Sequence, residues 1–386
     1  MTLIQDSPSV ADVCNRLRKE PFVTVDTEFM RDRTYWPQLC LVQLGGEKEA
    51  VAIDPLVPGI DLSPLVDFLL DRTVIKVLHA CRQDMEIFYH LCGRELPRPI
   101  FDSQVAAMVC GFGEEVGYET LVNKLAGARL DKTSRFTDWS KRPLSARQLA
   151  YALGDVTHLR LIFEKLAKRI ERDGRASWVE EELDAFLDPS LYELAPADAW
   201  KRLKFRSREP RFIGLVQAIA EWRERKAQTR NVPRNRILRD DLIMELAANR
   251  PKSAEQLRDL PRINLDRESV AEIVAAVEEV MARPADRLPS PPVSEPTPRG
   301  VGPLTDLLKV LLKLCAEESD VAQRLIATSS DLEALAQDDN ADIGALKGWR
   351  REIFGNKALA LKHGRLALAA NGNRIRILEL DDSNGS

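Results

Sequence analysis

The segment VTVDTEF (23–29) carries two carboxylates, Asp26 and Glu28, two residues apart in a β-prone run. Alternate residues of a strand project from one face, so both acids point the same way. Between Val and Phe neighbours they are half buried and repel each other unless a cation sits between them; two solvated acids on an edge strand are the plain alternative. A third acid, Asp84, falls in the first turns of the helix in VLHACRQDMEIFYHL (77–91). An acid there is favourable to the helix dipole by itself, and Glu86 is an equally available carboxylate. The fourth, Asp155, follows Tyr151 by four residues in QLAYALGDVTHL (148–159), on the same helix face. An ordinary Tyr–Asp hydrogen bond would need no more. Taken together, four acids at strand and helix boundaries offer hard oxygen ligands, which suit Mg²⁺ or Mn²⁺ and not zinc. Two such ions about 4 Å apart can clamp an in-line phosphoryl displacement.

Other residues offer less. His79-x-Cys81 and His90-x-Cys92 resemble zinc half-sites, but one pair ends a buried strand and the other lies at the far end of a helix. The glycines at 111, 113 and 117 follow a helix instead of a strand, so they read as a turn and not as a dinucleotide fingerprint. Phe29 and Trp36, beside the acidic strand, could stack on a terminal base or simply pack in the core.

The elements that must position these groups follow from the pattern. Short β-prone runs at Val23–Phe29, Leu39–Leu44, Ala50–Ile53 and Thr73–His79 alternate with helical patterns at Cys81–Cys92, Ser103–Cys110 and Tyr118–Ala126. An α/β or α+β domain results. Ser145 with Gln148 forms a capping box, opening a helix that runs to about Arg172 and stops at Asp173-Gly174. Beyond it the chain is helical. Residues 176–208 form a connector with a basic end, 209–283 a helical unit opened by Glu209-Pro210, 284–303 a Pro-rich linker, and 304–370 a second helical unit. A frayed tail is expected over 371–386. RILRDDLIMELA (236–247) loosely echoes RLIATSSDLEALA (324–336), as in a diverged duplication.

The 386 residues, 44% hydrophobic and 30% charged, are enough for several domains at roughly 100–200 residues each and exclude wholesale disorder. No apolar run approaches the ~18 residues of a membrane helix, and Met1–Val10 does not read as a signal peptide, so the expectation is a cytoplasmic protein with no membrane association. Six scattered cysteines without a CxxC fit a reduced compartment. The net charge of −4 conceals thirteen Lys or Arg against three Glu between Lys201 and Arg239. Such a basic segment in an acidic chain points to an anionic partner, nucleic acid above all, or else to a solvated basic face.

The motifs VDTEF, HACRQDMEIF and YALGDVTHL resemble the three exonuclease motifs of the DEDD superfamily, and the Tyr four before the last Asp places them in its DEDDy branch. YWPQLCLVQL (35–44), FDSQVAAM (101–108), VGYETLV (116–122) and DWSKRPLSARQLAYALGDV (138–156) are similar to the ribonuclease D family in particular. Residues 215–257 resemble an HRDC domain, a helical nucleic-acid-binding module. The resemblance implies an RNase H-like α/β exonuclease domain over 1–175, with a mixed sheet and flanking helices, followed by two all-α HRDC-like domains. It implies 3′→5′ hydrolysis releasing nucleoside 5′-monophosphates from structured RNA such as tRNA precursors. It further implies two divalent ions, Mg²⁺ or Mn²⁺, with Asp26, Glu28 and Asp155 on one and Asp26 bridging to a second that Asp84 supports. Tyr151 is then expected to orient the attacking water, since a free phenol with pKa ~10 is mostly protonated at neutral pH. His79, Phe29, Trp36, Lys201, Arg202, Lys204 and Arg206 are expected to contact RNA, and one chain suffices as a monomer. A DNA exonuclease and a non-catalytic RNA-binding protein are the rival readings.

Overall fold

The computed structural model describes residues 2–130, 134, 137–289 and 301–380. Its first half is a six-stranded sheet ordered β1-β4-β3-β2-β5-β6. The strands are β1 (Thr2–Ile4), β2 (Phe22–Met30), β3 (Gln38–Gly45), β4 (Ala50–Ile53), β5 (Ile75–Leu78) and β6 (Ile100–Asp102). β3 runs antiparallel to β2 and β4, whereas the β1–β4, β2–β5 and β5–β6 pairs are parallel. The sheet is therefore mixed, with β2 and its two acids in the interior and not at an edge.

Helices cover both faces. On one, α1 (Ser7–Leu17), α2 (Ser63–Leu69) and α3 (Arg82–Leu91) bury Val10, Leu17, Phe68, Met85 and Phe88 against Val23, Val25, Val42 and Leu44. On the other, α6 (Ala146–Arg172) packs with α4 (Ser103–Val109) and α5 (Tyr118–Leu121), the last continuing as a π turn over Val122–Ala126. The capping box at Ser145 and Gln148 forms as its spacing predicts, and α6 ends at Arg172 with Gly174 in the left-handed region. β1, α1, α2 and β6 have no counterpart in the sequence reading. All are short, and three to eleven residues are too few for periodicity to register.

α6 lies unusually close to the sheet at one point. The Thr24 hydroxyl is shared between the carbonyls of Gly45 (3.1 Å) and Val156 (2.8 Å). A Cβ at Gly45 would sit 2.3 Å from that hydroxyl and 3.1 Å from the Val156 carbonyl. Only glycine permits this approach, and it brings the neighbouring Asp155 to β2. Farther along α6, Arg160 reaches the carbonyls of Phe22 and Gly45 and pairs with Glu20. Ahead of α6, the Arg142 guanidinium is held by Asp54 and the Cys40 carbonyl. Both ends of the segment bearing Tyr151 and Asp155 are thus fastened to the sheet.

The connector is not a loose basic strap. In α7 (Ala176–Asp184), Val179 and Leu183 join the α4–α6 core. Tyr192 packs into the α1–α3 core, and Ala199 and Leu203 enter the core of the following helical unit. That unit comprises α8 (Pro210–Arg230), α9 (Arg234–Ile237), α10 (Asp240–Asn249), α11 (Ala254–Arg258) and α12 (Arg267–Ala282). Pro210 occupies the first turn of α8, where its missing N–H costs nothing.

Of the Pro-rich 284–303, residues 290–300 lie outside the described residues. The linker is shorter than the composition suggests at both described ends. Ala285–Arg287 form a 3₁₀ turn with Leu288 packed on the preceding core, and α13 (Val301–Ser319) already includes 301–303. α14 (Gln323–Ile326), α15 (Ser329–Gln337), α16 (Gly348–Arg350) and α17 (Asn356–Lys362) complete the second helical unit. The echo seen in sequence has a structural form. In each unit a short helix, two extended residues (Leu238 and Arg239, Ala327 and Thr328) and a longer helix follow one another. The frayed tail is a correction: β7 (Leu366–Asn371) and β8 (Arg374–Glu379) make an antiparallel hairpin around Gly372, with Leu366, Leu368 and Ile377 packed on the second helical core. Asn and Gly in this stretch mark a turn between strands, not an unravelled end. Residues 381–386 lie outside the described residues.

The second helical unit docks on the nuclease half. The Ala322 N–H donates to the Met108 carbonyl (3.0 Å), Arg169 pairs with Asp320 (2.6 Å), and Trp178 stacks on Trp349 with centroids 4.4 Å apart.

Candidate active site

Asp26, Glu28 and Asp155 converge: each offers a carboxylate oxygen, and these all lie within 4.8 Å of one another. Strand alternation places Asp26 and Glu28 on the α6 face, where the close approach at Gly45 delivers Asp155. All three are half-buried. Asp84 is buried in the first turn of α3 and accepts a hydrogen bond from the Thr27 hydroxyl. It stands apart from the other three but is near enough to raise the Asp26 pKa. Glu86, the rival acid on α3, faces away and pairs with Arg31. Of the two acids, Asp84 is the one whose carboxyl meets β2, through Thr27.

Tyr151 lies one helical turn before Asp155, its ring 6.1 Å from that of buried Trp139. Tyr118 was not singled out in sequence. Its hydroxyl is shared between the carbonyls of Gly154 (3.1 Å) and Asp155 (2.8 Å), so it supports the α6 backbone at the acid. Only the quoted stretch VGYETLV signalled it. His79 backs this arrangement, with Nδ1 2.9 Å from the Ser103 hydroxyl and its ring 5.4 Å from Tyr118. Burial depresses the His79 pKa, against a raising influence of Asp102, so the ring favours neutrality. Phe29 follows a β-bulge after Glu28 and is half-buried.

Electrostatics fit a cation. Burial first, then the carboxylates of Asp155, Asp84 and Glu28, push Asp26 well above the usual carboxylate range. Burial raises Asp84 to about 7 against the lowering effect of its Thr27 hydrogen bond. A divalent ion reverses this cost, and three hard oxygens suit one. The pH dependence follows in sign. Raised folded-state pKa values favour the metal-free fold at low pH, and that contribution is lost as pH rises from ~4 through about 7. A bound cation should therefore raise the unfolding temperature more at pH 8 than at pH 5. Thermal unfolding with and without Mn²⁺ at both values checks this, and an equal gain would contradict it.

A family model for 3′-5′ exonuclease matches residues 1–171, and one for the HRDC domain matches 213–276. Ribonuclease D of Granulibacter bethesdensis is 48% identical, with 98% of this chain and 96% of that one covered. Ribonuclease D of Acidiphilium cryptum is 49% identical, covering 98% and 97%.

The chain belongs to the ribonuclease D family.

The crystal structure of Escherichia coli RNase D superimposes with a TM-score of 0.80 at 31% identity, covering 94% of this chain and 98% of that one. This ribonuclease D family member is a 3′→5′ exoribonuclease: an RNase H-like nuclease domain followed by an HRDC domain, metal-dependent as its family is, and acting on RNA. Among the described residues no helix is long and apolar enough to cross a membrane.

Proposed function

We propose that Asp26, Glu28 and Asp155 hold one divalent ion, Mg²⁺ or Mn²⁺, and that Asp26 is shared with a second ion supported by Asp84. The observation that carries this reading is the convergence of carboxylates from β2 and α6 within 4.8 Å. When bound, the ions would lower the pKa of the attacking water and stabilise the charge developing on the scissile phosphate. The chain's own residues do the rest. Tyr151 orients the water through its hydroxyl, with Trp139 fixing the ring. Thr27 fixes Asp84, and Tyr118 fixes the backbone carrying Asp155. Each cycle releases a nucleoside 5′-monophosphate.

The substrates we assign are 3′ ends of structured RNA such as tRNA precursors; the E. coli relative, described as an exoribonuclease involved in structured RNA processing, supports this choice. The modules are a nuclease domain through Gly174, the connector 176–208, an HRDC domain over 209–283 and a second HRDC-like unit from Val301. The short helix, two extended residues and longer helix common to both units favour the last assignment. One protomer holds every part, so a monomer is sufficient, working in the cytoplasm where its buried free cysteines stay reduced.

The test is digestion of matched RNA and DNA oligonucleotides, labelled at the 5′ or 3′ end, with Mg²⁺, Mn²⁺ or chelator. The expected result is a metal-dependent ladder from 5′-labelled RNA, single mononucleotides from 3′-labelled RNA, and slower loss of DNA. Faster digestion of DNA, or cleavage from the 5′ end, would overturn the reading.

A further inference from the structure

A second site lies between the nuclease half and the first helical unit. It is a cleft of about 660 Å³ that joins the segment after β2 and the start of α3 to the connector and to α8 and α9. Its walls hold arginines from three parts of the chain, among them Arg31, Arg82, Arg202 and Arg234, and two neighbouring aromatic rings, Tyr35 and Trp36, with centroids 4.6 Å apart. Arg31 is committed to Glu86 and Arg234 to Glu224. Arg82 and Arg202 are different. Both are exposed, and among the described residues neither has a carboxylate within ion-pair distance. Arg223, in the wall of the cleft, is only 3% exposed and is already paired, its Nη1 donating to Asp240 and to the Leu238 carbonyl. Two exposed guanidiniums without a carboxylate, brought to one cleft from separate parts of the chain, call for an anion.

The cleft is also held in place. Asn231, in the left-handed conformation that ends α8, accepts from the backbone N–H groups of Tyr35 and Trp36, each at 3.1 Å. The Tyr35 hydroxyl donates to Glu224 and accepts from Gln228 (3.1 Å). The segment leaving the catalytic strand is thus pinned to the helical unit, and the cleft keeps a fixed relation to Asp26 and Glu28. Arg82 precedes Asp84 by two residues, so it points to the opposite side of α3, a helix about 10 Å across with its side chains.

We propose that this cleft is the upstream subsite for single-stranded RNA, Arg82 and Arg202 taking backbone phosphates and Trp36 a base, a few nucleotides before the end being cut. The proposal rests on the exoribonuclease reading of the acidic site. Unpaired guanidiniums beside a half-buried aromatic ring are what a single strand requires: backbone charge neutralised, a base stacked without regard to sequence. The site draws on both domains, so only a strand that has engaged the helical unit reaches the acids with its phosphates held. It favours RNA with a single-stranded trailer long enough to span the cleft over di- and trinucleotides.

The test is fluorescence-anisotropy binding of a 5′-labelled twelve-nucleotide RNA and of a dinucleotide, in chelator to prevent cleavage, across a salt series. Full-length wild type is compared with Arg82→Ala/Arg202→Ala, with Trp36→Ala and with a control, Lys168→Ala, on the exposed side of α6. The double variant should bind the twelve-mer at least about tenfold more weakly, and its log K against log salt slope should fall by about 1.4, or ~0.7 per lost phosphate contact. Trp36→Ala should weaken binding roughly 5- to 100-fold with the slope unchanged, because it removes stacking and not charge. The preference for the twelve-mer over the dinucleotide should collapse in the double variant. Equal affinity and slope for the double variant and Lys168→Ala would overturn the proposal. Failure of the exoribonuclease reading would show separately, as wild type binding RNA but not digesting it when metal is supplied.

Discussion

Asp155→Ala should lower RNA turnover by at least about 10³-fold while leaving RNA binding in chelator within a few-fold of wild type. The side chain belongs to the one cluster of three carboxylates among the described residues. A metal site contributes several kcal/mol to the transition state, and each ~1.4 kcal/mol is a factor of ten. Asp26→Ala should act at least as strongly, because Asp26 is surrounded by Asp155, Asp84 and Glu28 and its loss removes the ligand common to both proposed ions. Folding should survive in both variants. Removing one of several mutually repelling carboxylates relieves strain in the metal-free protein, so the unfolding temperature in chelator should hold or rise. Single-turnover hydrolysis of 5′-labelled RNA at saturating enzyme is the measurement. An Asp155→Ala protein that degrades RNA within tenfold of wild type would remove the acidic cluster from the mechanism.

Tyr151→Phe separates positioning from ligation. The substitution keeps the ring beside Trp139 and deletes only the hydroxyl. Turnover should fall by about 10²-fold, within the usual range for a positioned proton-handling group. Metal affinity, followed by calorimetry with Mn²⁺, should stay within about threefold of wild type, because a protonated phenol is a weak ligand beside three carboxylates. Loss of metal binding would make Tyr151 a ligand, and unimpaired turnover would leave the water to be oriented by something else. Trp139→Leu offers a graded comparison: the hydroxyl remains but its ring loses its backing, so turnover should fall less than in Tyr151→Phe.

Local chemistry made much of this protein legible. Side chains two apart on a strand share a face whatever surrounds them, and so Asp26 and Glu28 were paired by their spacing. The capping box at Ser145 and Gln148 fixed the start of α6, and the four-residue interval from Tyr151 to Asp155 fixed their common face. These are properties of a few neighbouring residues. The short elements β1, β6, α1 and α2 were not legible, since they form by pairing and packing with residues far away. The terminal hairpin was missed for a related reason: turn-rich composition describes a loop and a two-residue reversal equally well.

The basic excess between Lys201 and Arg239 pointed to nucleic acid, but not to which cations are free to meet it: Lys201, Arg223, Arg225, Lys226, Arg230, Arg234 and Arg239 each pair with a carboxylate. Several of those acids lie tens of residues away, where a local count does not see them. Of the basic residues first expected to meet RNA, Lys201 is engaged by Asp198, Lys204 and Arg206 are exposed, and Arg202 alone lines the interdomain cleft. Trp36, 166 positions earlier, lines the same cleft.

Residue types and their local spacing were enough to name the groups that could do the chemistry, the strand and helix that carry them, and the family to which the chain belongs. How close α6 comes to the catalytic strand, and which cations remain free, were decided by tertiary structure. Each of these depends on distances between segments remote in sequence. Gly45 is the clearest case: nothing in its own neighbours shows that Thr24 and the Val156 carbonyl close over it, beside the residue that carries the third carboxylate.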